Sequence, residues 1–355
     1  MAVGRTRTEP PRRARARRGD SFMDPIELTR DLVARESPSF AEAPAVDYVA
    51  GLLEAAGYRV TRQPVTPGRD NLYAVREPPV VVLSTHLDTV PPSLPLREDD
   101  EWLYGRGACD AKGIAAAMIA AAERLATRGE RRIGLLFLVG EENGSDGARA
   151  AAALEPKGRY LVNGEPTENL LSVAQKGSLR LDLEATGQAA HSGYPEEGRS
   201  AIVPLLETLR RLRRLPLPYD PVLGEATLNI GTIAGGVAPN VVPPSARAQV
   251  LIRTVGPTEA LKQQVLGAAE PGVTITVGLE IPPYRGAAPP GWKTTVVSFA
   301  SDLPFLEGWG ERYQLGPGSI RLAHTDQERV RKADLLEAVE LYVKLAEQLL
   351  AKETA

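Results

Sequence analysis

Two short runs of nearly unbroken apolar residues, Val80–Thr85 and Arg132–Val139, constrain this chain most. Such runs have no polar face, so they suit strands buried on both sides, as in a parallel sheet covered by helices. Arg159–Val162 reads as a shorter strand of the same sort. Before and between them, Pro25–Arg35, Pro44–Ala56 and Lys112–Arg128 show helical spacing. The first two open on a proline, which the first helical position tolerates, and Gly57 and Gly129 act as stops. The fold class is α/β, with a mixed, mostly parallel sheet.

After Ser172 the rhythm changes. Leu179–Ala185 alternates like a half-exposed strand, and Ala201–Leu215 reads as a helix. Strands follow over Ala226–Ile233 and Ala246–Thr254, then a helix over Thr258–Ala269 and a strand over Val273–Leu279. That β-α-β-β-α-β order is the split ferredoxin-like unit. A Pro-rich connector, Ile281–Trp292, leads to a strand over Thr295–Phe299 and a closing helix over Ala333–Ala351. Residues 175–287 are therefore expected as an α+β domain inserted between 23–174 and 288–355, with hinges near Ser172–Lys176 and Ile281–Pro290.

Composition excludes several classes. The longest apolar stretch, around Ile114–Ala122, is too short to span a bilayer, so no membrane is expected as a partner. Cys109 is the only cysteine, which rules out an internal disulfide and makes the cytoplasm the expected compartment. Residues 1–22 hold seven arginines against Glu9 and Asp20, a net of +5, leaving −8 for the rest of a chain whose total is −3. An Arg/Pro/Ala run has nothing to bury and reads as a disordered extension, ahead of a possible start at Met23, rather than as a nucleic-acid arm or targeting peptide. The acidic remainder argues against nucleic acid.

All three histidines lie within clusters of metal-type ligands. His86 follows the first apolar strand, Glu141 and Glu142 follow the second, and Glu165 follows the third. Asp110 precedes a helix in the Gly-rich turn Gly105–Gly113, and His324 lies near the C-terminus. Open α/β sheets bind ligands beyond the carboxyl ends of their strands, where such loops converge. Imidazole and carboxylate suit two divalent ions such as zinc, with cobalt and manganese also compatible. Asp110, Glu142, Glu165 and one hydroxide would balance two such ions with both imidazoles neutral, one carboxylate bridging. Asp88 sits within reach of the second ring nitrogen of His86 and would orient it. Glu141 and Glu142 point in different directions, so one can bind metal while the other takes a proton from water. Each residue also has a bland reading, a strand-end histidine or a solvated loop acid, but their joint placement on one rim outweighs it. Cys109 reads as a small packed residue, with no free imidazole to activate it as a nucleophile.

These segments resemble a known family, the dinuclear zinc deacylases and exopeptidases that include acetylornithine deacetylase, succinyl-diaminopimelate desuccinylase and carboxypeptidase G2. The resemblance runs from about Pro25 to Leu350. It is carried by Ser84-Thr-His-Leu-Asp-Thr-Val-Pro91, the Gly105–Gly113 turn, Gly140-Glu-Glu142, Gly164-Glu-Pro-Thr167, Ala190-His-Ser-Gly193, Gly235-Gly-Val-Ala-Pro-Asn-Val-Val-Pro243 and His324-Thr-Asp-Gln-Glu328. It implies that Asp110 bridges two ions, that Glu142 and His324 complete one site, and that His86 and Glu165 complete the other. It further implies Glu141 as general base, Asp88 as support of His86, and an inserted lid that also forms a homodimer. His191 would then serve the partner subunit's active site by hydrogen bonding to the developing oxyanion. Asn240, Arg253 and the Gly316–Gly318 loop would hold substrate, Arg253 gripping a carboxylate.

The expected function is a metal-dependent amidohydrolase removing an N-acyl group, most like an acetylornithine deacetylase, with metal-bound hydroxide attacking the amide. The alternatives are an exopeptidase acting on a short peptide, a hydrolase trimming amino acids from a carrier protein in lysine or arginine synthesis, and a non-catalytic binding protein.

Overall fold

The computed structural model describes residues 23–353; the Arg-rich segment 1–22 lies outside them. At its centre is a nine-stranded sheet ordered Arg59–Thr66, Arg69–Val75, Ile133–Leu138, Val81–His86, Tyr160–Asn163, Glu311–Gln314, Leu171–Gln175 and Tyr284–Arg285, with Thr294–Val297 also paired to Leu171–Gln175. Its middle, from Ile133–Leu138 to Glu311–Gln314, is parallel. The flanking strands pair antiparallel, apart from Thr294–Val297, which runs parallel to its neighbour.

The sheet is covered on both faces, which is why its central strands are apolar throughout. Val81–His86 and Ile133–Leu138 are buried at every position. One layer joins helices Pro25–Val33, Ala43–Ala55, Lys112–Thr127 and Lys332–Ala351 in the largest hydrophobic core. The other face packs against the short helix Asp146–Ala151 and the Leu303–Trp309 segment, with Trp309 edge-on to Tyr73. Small residues let the Ala-rich helix Lys112–Thr127 lie close to the sheet. An added Cβ on Gly164, just after strand Tyr160–Asn163, would collide with Ile114 and come within 2.7 Å of Met118.

A second sheet of four strands has the order Thr227–Gly235, Ser245–Thr254, Gly177–Thr186, Val273–Ile281, antiparallel throughout. Helices Ile202–Leu212 and Glu259–Gly267 close a separate core against it. Its elements follow the β-α-β-β-α-β order read from the sequence.

One difference from the sequence reading has a physical cause. Arg59–Thr66 and Arg69–Val75 form a hairpin that the apolar pattern missed, because the first is an edge strand rich in polar residues and never fully buried. Within the stretch expected as a hinge, strand Leu171–Gln175 of the central sheet is separated from the second sheet's Gly177–Thr186 by Lys176 alone. Lys176 is buried and donates through Nζ to the Glu225 carbonyl at 2.6 Å. No helix among the described residues is long and apolar enough to cross a membrane.

Candidate metal centre

The parallel strands deliver their ligands to one rim. His86 is the last residue of Val81–His86, and Glu165 follows Tyr160–Asn163 by two positions. Glu141 and Glu142 form a 3-10 turn after Ile133–Leu138, entered through Gly140 at φ 73°. A side chain on Gly140 would also collide with Asp146 and approach Arg69 to 2.5 Å, so only glycine fits. Asp110 ends the Gly-rich turn ahead of helix Lys112–Thr127. His324 sits at φ 60°, a left-handed conformation uncommon for a residue with a side chain and found where a site requires it.

Asp110 lies between the two histidines. Its Oδ1 is 3.1 Å from His86 Nε2, and its Oδ2 is 3.5 Å from His324 Nε2. His324 Nε2 is also 2.9 Å from Glu142 Oε1. Two donor groups result, His86–Asp110–Glu165 and Asp110–Glu142–His324, each with its ligand atoms within 4.8 Å of one another. Asp110 is common to both.

Around these donors, Asp88 supports more than the ring beside it. His86 Nδ1 is 3.0 Å from the Asp88 carbonyl oxygen and 3.4 Å from its carboxylate. The carboxylate accepts from the backbone N–H groups of Glu141 and Glu142, each at 3.1 Å, and from Ser39 Oγ at 2.7 Å. Asp88 thus fixes both the imidazole and the turn carrying the glutamate pair.

The electrostatics show a crowd of acids waiting for cations. Burial, then the neighbouring carboxylate Glu165, raises Glu141 well above the ordinary range. Burial, then Asp110, does the same for Glu165; Glu142 is raised by burial despite its bond to His324. Hydrogen bonds to Asp110 and Glu142 push His324 up to about 10. His86 is raised as well, since its bonds to Asp110 and Asp88 outweigh a burial effect of opposite sign. Asp110 is lowered by the two imidazoles against the effect of its burial. Imidazole and carboxylate donors crowded together, whose shared protons cations could replace, fit a pair of borderline-hard divalent ions.

The other expected site residues belong to neither donor group. His191 is exposed, belongs to neither donor group, and accepts at Nδ1 from the Gly193 N–H at 3.1 Å. Asn240 is exposed, its carbonyl accepting from Ser192 N–H at 3.0 Å. Arg253 is half-buried on Ser245–Thr254; burial lowers its pKa while the Glu141 carboxylate opposes that shift. Gly318, at φ 82°, packs where a Cβ would come within 2.6 Å of Cys109 Sγ.

Three residues of this region went unread in the sequence. Ser39 contacts Asp88, and Glu328 contacts the Asp110 turn, its only sequence signal being its place at the end of His324-Thr-Asp-Gln-Glu328. Asp302 is fully buried near the glutamates, and burial raises it to about 7. Nothing in its local sequence marks it.

Comparison with known proteins places the chain among peptidases. The family model for peptidase family M20/M25/M40 matches residues 82–348. A peptidase M20 domain-containing protein of Schizosaccharomyces pombe is 38% identical over 333 residues, covering 90% of this chain and 83% of its own. A protein of Aspergillus clavatus named as a probable carboxypeptidase is 38% identical over 377 residues, covering 93% and 83%. Among solved structures, a tripeptidase from Staphylococcus aureus superposes with a TM-score of 0.75 at 22% identity, covering 92% of this chain and 99% of its own.

Proposed function

Given that the chain belongs to peptidase family M20/M25/M40, whose members hydrolyse peptide and amide bonds, we propose that it is a dinuclear metal-dependent exopeptidase of the carboxypeptidase type. The observation that carries this reading is the Asp110 carboxylate, with one oxygen turned to each histidine. We assign His86 and Glu165 to one ion, Glu142 and His324 to the other, and Asp110 to both. When bound, the two ions would lower the pKa of water to about 7 and polarise the scissile carbonyl.

The chain's own residues supply the rest. Glu141 is half-buried beside the donors, with no hydrogen-bond partner for its carboxylate among the described residues, which leaves it free to take a proton from water and return it to the leaving amine. Asp88 holds that glutamate's backbone in place. Arg253, with no acid bonded to it among the described residues and Glu141 near enough to feel, would grip the terminal carboxylate of the substrate. His191 is too exposed to act without a covering surface, which favours delivery from a second copy of the chain, with residues 175–287 as the lid and dimerisation unit.

Deacetylation of an N-acetyl amino acid, the leading expectation from the sequence, uses the same groups and is the second reading. The relatives' names favour peptide substrates. A panel of dipeptides, tripeptides and N-acetyl amino acids, run on protein of measured metal content, decides between them. The expected result is two ions per chain and release of C-terminal residues. Fewer than two ions would defeat the metal assignment, and turnover of acetyl amino acids alone would defeat the peptidase reading.

A further inference from the structure

The turn that carries Asp110 is held partly by its own backbone bonds, such as Lys112 N–H to the Gly107 carbonyl at 2.8 Å, and partly from a distant segment. One buried carboxylate, Glu328, collects its backbone: Oε1 accepts from the N–H groups of Gly107 at 2.8 Å, Asp110 at 3.2 Å and Cys109 at 3.3 Å. Its Oε2 accepts from Arg106 Nη1 at 2.6 Å. Arg106 donates in turn to the carbonyl oxygens of Thr325, at 3.2 Å, and Pro92, at 3.1 Å. Glu328 lies four residues beyond His324, and Thr325 adjoins it. The segment bearing a ligand of one ion only is thereby tied to the turn bearing the ligand common to both.

We propose that Glu328 is a positioning residue that sets the spacing between Asp110 and His324, and so governs whether the second ion binds. The inference rests on the dinuclear reading given above. Two features separate it from general support of the fold. Strand Arg329–Arg331 is already fixed to Trp102–Tyr104 by its own pairing, so the chain has an anchor beyond Glu328 without the carboxylate. The other donor group shares only Asp110 with this one and takes His86 and Glu165 from strand ends of the central sheet, to which Glu328 is not bonded. The chemistry also requires a carboxylate. Both oxygens must accept, and a carboxamide would turn its NH₂ group toward either Arg106 or the three backbone donors.

The test compares full-length R106M/E328Q with full-length R106M/E328L. Both lack the buried charge pair, whose joint replacement by uncharged residues is tolerated, but only the first keeps an acceptor for the backbone N–H groups. Each protein is stripped of metal, checked by far-UV circular dichroism, and titrated with Zn²⁺ by calorimetry. Paramagnetic resonance of Mn²⁺-loaded samples then reports whether the ions form a spin-coupled pair. Wild type is expected to bind two ions. R106M/E328Q should bind the second nearly as well, whereas R106M/E328L should bind it about 10- to 100-fold more weakly, the range for a lost partner behind a ligand. The first ion should change little, and the Mn²⁺ signal at sub-saturating metal should become that of uncoupled ions.

Equal second-ion affinity in the two variants overturns the proposal, as does a parallel loss of both affinities with falling thermal stability. If R106M/E328L does not fold, E328Q replaces it: the amide conflict predicts a weakened second ion that R106M restores, and failure of that rescue refutes the role. Wild-type binding of fewer than two ions would instead defeat the dinuclear reading itself.

Discussion

At the scale of single residues, the proposed function separates groups that would hold ions from a group that would react. Glu142 is bonded to His324, whereas Glu141 shows no hydrogen-bond partner for its carboxylate among the described residues. Burial, then Glu165 and Asp302, disfavours its charge against the opposing pull of His86, so its proton affinity is raised. Replacing it should leave both donor groups intact. Glu141→Ala is expected to retain two ions while turnover falls by about 10²- to 10⁴-fold, the usual contribution of a positioned proton acceptor. Metal analysis alongside steady-state kinetics checks this, and near-normal turnover would remove Glu141 from the chemistry. The ligands were legible in the sequence because histidine is scarce and each acid follows a strand or precedes a helix at the rim. Ser39, Glu328 and Asp302 were not, because they act on another acid, on backbone groups or through burial, and hydroxyls and acids are common in any loop.

At the scale of elements, close packing between strand ends and helix Lys112–Thr127 sets where ligands emerge. Gly164 immediately precedes Glu165 and faces Ile114 and Met118 with no room for a methyl group. Gly164→Ala must push the helix or the strand end aside. Overpacking of this kind typically destabilises by about 1–3 kcal/mol. It should also weaken the ion held by His86 and Glu165 more than its partner. Denaturant unfolding of the metal-free protein measures the first effect and zinc titration the second; an unchanged protein on both counts would show that the contact relaxes freely. Buried strands and amphipathic helices were readable here because their patterns are strong. Arg59–Thr66 was not, since an edge strand exposes polar residues along its length and lacks the apolar signature. The short Glu311–Gln314 strand also escaped notice, although it completes the parallel centre by pairing with Tyr160–Asn163.

At the scale of the molecule, the centre stores electrostatic tension that binding of cations would release. Glu141, Glu142 and Glu165 have raised pKa values in the folded chain, chiefly through burial, and His324 is raised to about 10 by Asp110 and Glu142. A group whose folded pKa is raised contributes stability in its protonated form, present in full below its unfolded pKa and lost as pH climbs through the folded value. For the glutamates that loss begins above the ordinary carboxylate range; for His324 it extends from about 6.5 to about 10. Asp110 has the opposite sign, but its lowered pKa matters only in acid, where its contribution falls as pH falls. Through these groups the metal-free protein should lose stability from mildly acid pH upward, with Lys112, lowered to about 8 by burial, opposing the loss only above that pH. Cations replace the protons, so metal affinity should rise over the same interval, and binding near neutrality should release protons from the two imidazoles and the crowded glutamates. Ligand binding stabilises by RT ln(1 + [L]/Kd), so the gap between metal-loaded and metal-free melting temperatures should widen as pH rises. Differential scanning calorimetry at several pH values, paired with zinc titrations in buffers of different ionisation enthalpy, measures both quantities. A metal-free melting temperature that rises with pH, or binding without proton release, would mean that these side chains do not share one cation-hungry cluster.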